Sequence, residues 1–176
     1  MFEQLFELKA LSTLLDIEVA DVGAMDLTPD PTLEKNSREA LLLAHISTWR
    51  PKSSSSVSLE REFAEFLLHL LNEEPRLRGA GVLRHTPFAG VDVPFNIDFL
   101  LSWPTDNVGV ERIGVEFVRL QSRAIFFYKV SQVLPLGRTV ILVIYGTRQM
   151  IEHLHDDIAR LGLMNQNIKV VTLVDI

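Results

Sequence analysis

Two carboxylates stand at positions where a β-strand ordinarily carries apolar side chains. Asp98 interrupts the apolar run of residues 95–101, and Glu116 interrupts the run of residues 113–118. Burying an unpaired carboxylate is expensive, so such a group normally has a cationic partner or binds a metal. If the two strands are adjacent arms of one hairpin, both carboxylates can offer oxygen ligands to a hard cation such as Mg²⁺ or Mn²⁺. The alternative is that each pairs with an arginine; the candidates are Arg84, Arg112 and Arg119.

Hydrophobic periodicity predicts the elements that position these carboxylates. It predicts a helix over residues 58–72, followed by strands over 82–85, 96–103 and 112–120. A helix over 121–134, a strand over 139–145, a helix over 148–161 and a strand over 168–174 complete the chain. The order α-β-β-β-α-β-α-β indicates an α/β fold in which helices flank a mixed central sheet.

The first third of the chain is predicted to be a separate unit. Helical spacing over residues 2–15 and 32–49 indicates an acidic helical N-terminal extension over residues 1–50. Residues 51–57, with four consecutive serines, are typical of a flexible linker. The sheet-containing domain is therefore expected over residues 58–176.

Composition limits the classes of function. The 176 residues are 47% hydrophobic and 23% charged, which suits one folded domain with an extension. The absence of cysteine excludes zinc ribbons, iron–sulfur clusters and thiol catalysis. No apolar run approaches the ~20 residues of a membrane span, and the start lacks the basic-then-apolar order of a signal peptide. We therefore expect a cytoplasmic protein with no membrane partner.

The net charge of −6 is unevenly distributed. Residues 1–75 carry −8, residues 76–148 carry +4 and residues 149–176 carry −2. Eight of the nine cations in the middle segment are arginines, whose planar guanidinium suits phosphate oxygens. An acidic total therefore does not exclude an anionic partner for the strands that carry the two carboxylates.

These motifs resemble those of the PD-(D/E)XK nuclease superfamily, and most of all the archaeal-type Holliday-junction resolvases and Mrr-type endonucleases. The resemblance lies in Glu60-Arg61-Glu62 on the first helix, Ile97-Asp98 on one strand and Val115-Glu116-Phe117-Val118 on the next, and it covers residues 58–176. It implies a restriction-endonuclease-like fold and a Mg²⁺- or Mn²⁺-dependent DNA endonuclease that acts on branched or duplex DNA, with a homodimer as the expected assembly. Glu60, Asp98 and Glu116 match its catalytic acids; the implied metal ligands are Asp98, Glu116 and the backbone carbonyl of Phe117.

The sequence departs from this family at one position. The lysine expected two residues after Glu116 is replaced by Val118. In some members of the superfamily the following helix supplies the lysine, and here that helix carries Lys129 in an apolar environment. Lys129 is either this catalytic cation or a surface lysine whose stem lies along the protein. Arg61, Arg84, Arg119 and Arg123 are the expected contacts to DNA phosphates.

Two classes of function remain at this point. One is the DNA endonuclease with Lys129 in place of the motif lysine. The other is a decayed nuclease-fold module that binds protein or nucleic acid, with residues 1–50 as a contact to a protein partner. His153 and Asp157, four residues apart, form either a metal site or a solvated helical turn, and no partner is evident for His69 or His85.

Overall fold

A computed structural model describes residues 37–52, 55–87, 96–105, 109–136, 138–162 and 167–175. Two helices come first, α1 (Arg38–Thr48) and α2 (Ser56–Glu73). Three strands follow, β1 (Gly81–Pro87), β2 (Asn96–Thr105) and β3 (Gly109–Arg119). Then come α3 (Arg123–Val133) with a 3₁₀ turn (Leu134–Leu136), β4 (Val140–Gly146), α4 (Arg148–Leu161) and β5 (Ile168–Val174). The chain is thus an α/β protein, and the predicted order of elements from residue 58 onward is confirmed.

The five strands form one mixed sheet in the order β1-β2-β3-β4-β5. β1, β2 and β3 are antiparallel neighbours, and Phe99 is paired with Val115 in the register of β2 and β3. β3, β4 and β5 are parallel, and α3 and α4 connect them as crossover helices. Consequently β2 begins at the edge of the sheet where β3 and β4 end, and this edge brings residues near positions 98 and 116 together.

Each face of the sheet supports its own hydrophobic core. Phe99, Val115 and Phe117 belong to the core shared with α1 and α2. Val118 and Leu142 belong to the other core, which is shared with α3 and α4. All seven residues of β4 are buried, as the continuous apolar run of this strand predicts for a strand covered on both faces. Helices therefore cover both faces of the parallel half of the sheet.

Helix α1 is part of the main core rather than of a separate extension. Leu42 and Ile46 on this helix are fully buried. The Trp49 ring, just after the helix, lies edge-on to the Phe63 ring of α2 and the Phe117 ring of β3, at centroid distances of 5.3 and 6.0 Å. The expected boundary at residues 51–57 thus does not separate α1 from the sheet, because these aromatic contacts cross it. Helix 2–15 of the prediction lies outside the described residues.

Local chemistry explains where the helices begin and end. The Ser37 hydroxyl accepts the Ala40 N–H at the start of α1, at 3.1 Å. Helix α2 begins two residues earlier than predicted, because the Ser55 hydroxyl caps it by accepting the Ser58 N–H. Helix α4 ends at Gly162, whose φ of 62° lies in the left-handed region that glycine adopts without strain.

Candidate functional site

Asp98 and Glu116 lie opposite each other at the end of the β2–β3 ladder. The last backbone pair of this ladder is Phe99 with Val115; beyond it, the two side chains bridge the strands. The Glu116 carboxylate accepts the Asp98 N–H at 3.0 Å, and the Asp98 carboxylate accepts the Phe117 N–H at 2.9 Å. Each carboxylate therefore satisfies a backbone donor of the opposing strand, which fixes both groups at one place. The expectation that they share one site is supported by this geometry.

The strand is irregular at Asp98. Residues two apart on a regular strand lie on the same face, yet Ile97 packs in the core beside α3 and α4 while Phe99 packs in the opposite core. Across the ladder, His85 has a φ of 46°. This left-handed conformation is uncommon for a side-chain-bearing residue within a strand and stores strain. The backbone around Asp98 is thus irregular, both in β2 itself and at His85 of β1. Towards β3, side-chain hydrogen bonds replace the backbone ladder.

Lys129 completes the site from helix α3. Its ammonium forms an ion pair and a hydrogen bond with the Glu116 carboxylate. The Glu116 side chain is 1% exposed and that of Lys129 is 26% exposed, so the pair lies at the boundary between core and solvent. Lys129 thus contacts a carboxylate of the site, and its catalytic role stays a prediction. Val118, at the position of the family's lysine, is buried in the core.

Burial dominates the electrostatics of Glu116. Desolvation and the neighbouring Asp98 carboxylate raise the pKa of Glu116 from 4.5 to about 7, against the opposing effect of Lys129. The charged form is disfavoured because it has left water and stands beside another anion. Additional positive charge at this place would therefore be stabilising.

The two carboxylates fit a cation such as Mg²⁺ that keeps several water molecules as ligands. Within the described ranges, no three His, Cys, Asp or Glu side chains are grouped closely enough to form an all-protein metal cage. Mg²⁺ usually takes only one or two carboxylates and completes its shell with water and substrate phosphate. Asp98 and Glu116 supply two carboxylates beside the single ammonium of Lys129, and this imbalance of charge suits such an ion.

The predicted residues of the first helix lie elsewhere. The helical wheel places Glu60 on the inward face of α2, but its side chain is exposed. Glu60 is the fifth residue of α2, beyond the first turn, and its carboxylate faces solvent. Arg61 is also exposed and is 3.4 Å from Glu65 in an i,i+4 ion pair on the helix surface. Both residues thus belong to the surface of α2, and this helix packs on the face of the sheet opposite to α3.

The other predicted arginines are dispersed. Arg84 stacks over the Phe99 ring at 5.2 Å, on the α1–α2 side of the sheet. Arg119 also belongs to that side, because β3 alternates and Phe117 faces α2. The Arg123 guanidinium forms a hydrogen-bonded ion pair with the buried Asp157 carboxylate of α4. These three residues therefore do not form one phosphate-binding patch with the carboxylates.

His85 is the neighbour of the site that sequence reasoning missed. Its Nδ1 lies 3.7 Å from Oδ1 of Asp98, and its side chain is 64% exposed. Only the β1–β2 register brings the two residues together, since Arg84 pairs with Phe99 and Thr86 with Ile97.

The structure does not support a metal site at His153 and Asp157. The Asp157 carboxylate pairs with Arg123, and His153 is exposed on α4.

Comparison of the chain with protein-family models, with curated proteins and with solved structures finds no match. Among the described residues there is no helix of sufficient length and apolarity to cross a membrane.

Proposed function

We propose that this protein is a divalent-cation-dependent nuclease that hydrolyses phosphodiester bonds in DNA. The observation that carries the proposal is the arrangement of Asp98, Glu116 and Lys129, in which two carboxylates from adjacent strands and one ammonium from the following helix meet at the carboxyl edge of β3. The restriction-endonuclease-like fold and the use of Mg²⁺ or Mn²⁺ are parts of the same proposal.

Each side chain has a distinct role in this proposal. Asp98 and Glu116 hold the cation, with the Phe117 carbonyl as a further ligand. Lys129 offsets the charge of Glu116 and presents N–H donors to a water molecule or to a phosphate oxygen. A bound cation would stabilise negative charge on the phosphate and favour the ionised form of a water molecule. Placing Lys129 on the helix preserves a cation at the site although Val118 replaces the motif lysine on the strand.

The second candidate is a decayed nuclease fold that binds nucleic acid or protein without cleaving it. Two observations favour it. Val118 is buried in the core, and all four carboxylate oxygens of the two acids have a neighbour among the described residues, namely Lys129, His85 and two backbone N–H groups. A site that is satisfied in this way could be purely structural, so catalysis must be tested directly.

The test is cleavage of linear duplex and four-way-junction DNA in Mg²⁺ or Mn²⁺. Glu116→Gln preserves size and removes the charge, and we expect it to lose at least about 10²-fold in rate. Glu111→Gln is the matched control: it makes the same change on the same strand, where Glu111 pairs with Arg38 on the other side of the sheet. Equal cleavage by the two variants, or no cleavage by the wild type, would overturn the nuclease proposal.

Lys129 is tested in the same assay by Lys129→Met, which keeps the aliphatic stem and removes the ammonium. We expect a loss of about 10²-fold or more if the ammonium acts on water or phosphate. Lys169→Met is the control, because Lys169 is similarly half-buried and lies 4.0 Å from the Glu39 carboxylate, away from the site. A Lys129→Met protein that folds and cleaves normally would exclude this role.

A further inference from the structure

The three antiparallel strands extend past the start of the parallel strands. The first pair of β3 with β4 is Gly114 with Val140, and Val140 in turn pairs with Ile168 of β5. Because α3 and α4 connect the parallel strands, the core beside them reaches Leu100, the partner of Gly114 on β2, but no earlier residue of β3. In the part of the chain that the structure describes, this end of β2 and β3 is therefore packed against helices on the α1–α2 side only.

The other side of this end carries a small exposed patch. Leu83 is 57% exposed and Val110 is 52% exposed. Both lie on the side away from α1 and α2, because their strand neighbours Val82 and Glu111 contact that side. Strand register and alternation place further residues between them on the same side. We call the whole set the corner patch: Gly81, Leu83, Ser102, Pro104, Val110 and Arg112.

The size of the corner patch limits what it can bind. It spans three strands and four residues along them, which is roughly 10 by 13 Å. A stable complex between separate proteins covers about 800 Å² on each partner, several times this area. A segment of the same chain needs less area, because its tether raises its effective concentration to roughly the millimolar range. The patch is therefore suited to a segment of this chain.

Residues 1–36, which lie outside the described ranges, contain a segment of the required kind. The sequence predicts a helix over residues 2–15. A helix of this length is marginal alone in water and is stabilised mainly by packing of its apolar side. That side is a stripe at helical spacing formed by Leu5, Leu8, Leu11 and Leu15.

This segment joins the described chain at the end of the sheet that carries the corner patch. The Arg38 guanidinium, at the start of α1, pairs with Glu111 of β3 and lies over the Trp103 ring of β2, 5.3 Å from its centroid. Glu111 in turn stands between two residues of the corner patch along β3. Residues 16–36 span up to ~70 Å when extended, far more than the passage around the end of the sheet requires. The predicted helix can therefore reach the corner patch.

Charge favours the same contact. Residues 1–36 carry the net charge of −6. Arg112 is the cation of the corner patch; it is exposed, and no residue within the described ranges forms an ion pair with it. An acidic segment is thus attracted to this corner rather than repelled from it.

We propose that the corner patch is an intramolecular docking site and that its occupant is the helix predicted over residues 2–15. The leucine stripe of this helix packs on Leu83, Pro104 and Val110, and acidic side chains of the segment lie near Arg112. The proposal concerns the assembly of the chain itself and does not depend on nuclease activity.

A nitroxide on the segment tests this contact in the full-length protein. The chain has no cysteine, so Ala10→Cys provides one labelling site, which the helical wheel places opposite the leucine stripe. The amide NMR signals of Leu83, Val110 and Arg112 are expected to lose most of their intensity relative to the same sample after reduction of the nitroxide. The signal of Val57 on α2 should keep its intensity. Full intensity at the corner patch would overturn the proposal.

Two substitutions to aspartate form a matched pair in the labelled protein, since Val110 and Val57 are both more than half exposed. Val110→Asp should restore the signals of the corner patch, because a carboxylate there opposes apolar packing and repels the acidic segment. Val57→Asp should leave the attenuation unchanged. Leu8→Asp should also restore the signals, and it changes no residue of the sheet. Attenuation that survives both Val110→Asp and Leu8→Asp would contradict docking through the leucine stripe.

A mixed sample distinguishes the chain's own segment from that of a second copy. Nitroxide-labelled protein without ¹⁵N is mixed with unlabelled protein enriched in ¹⁵N, so that only contacts between molecules attenuate signals. Unchanged signals at Leu83 and Val110 in this mixture are the expected result. Attenuation of these signals in the mixture would overturn intramolecular docking, because the segment would then bind a second copy of the chain.

Discussion

The Glu116 carboxylate is the residue on which the site depends. It is buried, bridges to the backbone of β2 and pairs with Lys129, yet its pKa is raised to about 7. A raised pKa means that the partners compensate only in part for lost hydration and for the repulsion of Asp98. Holding the Glu116 carboxylate in place beside Asp98 therefore makes folding less favourable, as expected at a functional site.

This imbalance predicts how stability depends on pH. In the unfolded chain Glu116 ionises near 4.5, whereas in the folded protein it keeps its proton up to about 7. Between these values the folded state binds more protons than the unfolded state, so the free energy of unfolding decreases as the pH rises, by up to about 3 kcal/mol. Urea unfolding in EDTA across this range should reveal the decrease in the wild type and in Glu111→Gln.

Glu116→Gln provides the comparison, because the amide does not titrate. Its stability should decrease less than that of the wild type between pH 4.5 and 7. Parallel pH profiles for Glu116→Gln and the wild type would contradict the raised pKa. The comparison concerns the cation-free protein alone, and it holds whether or not the protein cleaves DNA.

At the scale of single residues, the sequence predicted the two acids and gave Lys129 as a candidate cation for their site, but it did not predict His85. Charged residues inside apolar strands are visible in any sequence, and Asp98 and Glu116 stand out for that reason. The contact of Lys129 with Glu116 depends on how α3 crosses the sheet, and that of His85 with Asp98 depends on the register of β1. Neither the crossover nor the register is encoded in local spacing, so the sequence left Lys129 between two alternatives and gave no partner for His85.

Among the elements, α1 was the least predictable in its role. Its apolar spacing correctly indicated a helix, but Pro51 and the serines after it were interpreted as a boundary between domains. A polar connection of this length can equally join two helices of one core, and the burial of Trp49 against α2 and β3 shows that it does so here. By contrast, the bounds of α4 and β5 were predicted exactly, because Thr147 and Gly162 cap α4 and β5 is a short strand between polar segments.

The position of α1 in the core predicts that its substitutions destabilise the whole sheet. Ile46 is fully buried, so Ile46→Ala should lower the free energy of unfolding by about 2–5 kcal/mol. Urea unfolding followed by tryptophan fluorescence measures this, since Trp103 of β2 is buried and reports on the sheet. Val57→Ala is the control: Val57 is 83% exposed, and its change should stay within about 0.5 kcal/mol. An unchanged midpoint for Ile46→Ala would mean that α1 folds independently.

For the molecule as a whole, the boundary between the acidic part of the chain and the neutral part lies just before α1. Residues 1–36 contain eight acidic and two basic residues, and residues 37–176 contain fifteen of each. The entire net charge of −6 thus belongs to residues 1–36, while the rest of the chain is neutral. An acidic segment joined to a neutral domain repels phosphate at low ionic strength, and this effect declines once the Debye length falls to about 10 Å or less.

A protein that begins at Ser37 separates this effect from folding. It keeps α1 and its Ser37 cap, which a deletion through residue 50 would remove together with the buried Leu42 and Ile46. Urea unfolding shows whether the shortened protein is folded, and we expect the folded protein to bind labelled duplex DNA several-fold more tightly than the full chain at low salt, with the difference shrinking as salt is added. If the affinity is unchanged while the domain stays folded, residues 1–36 do not screen the rest of the chain from DNA. If the affinity falls instead, these residues contribute contacts of their own, and the acidic segment assists binding rather than opposing it.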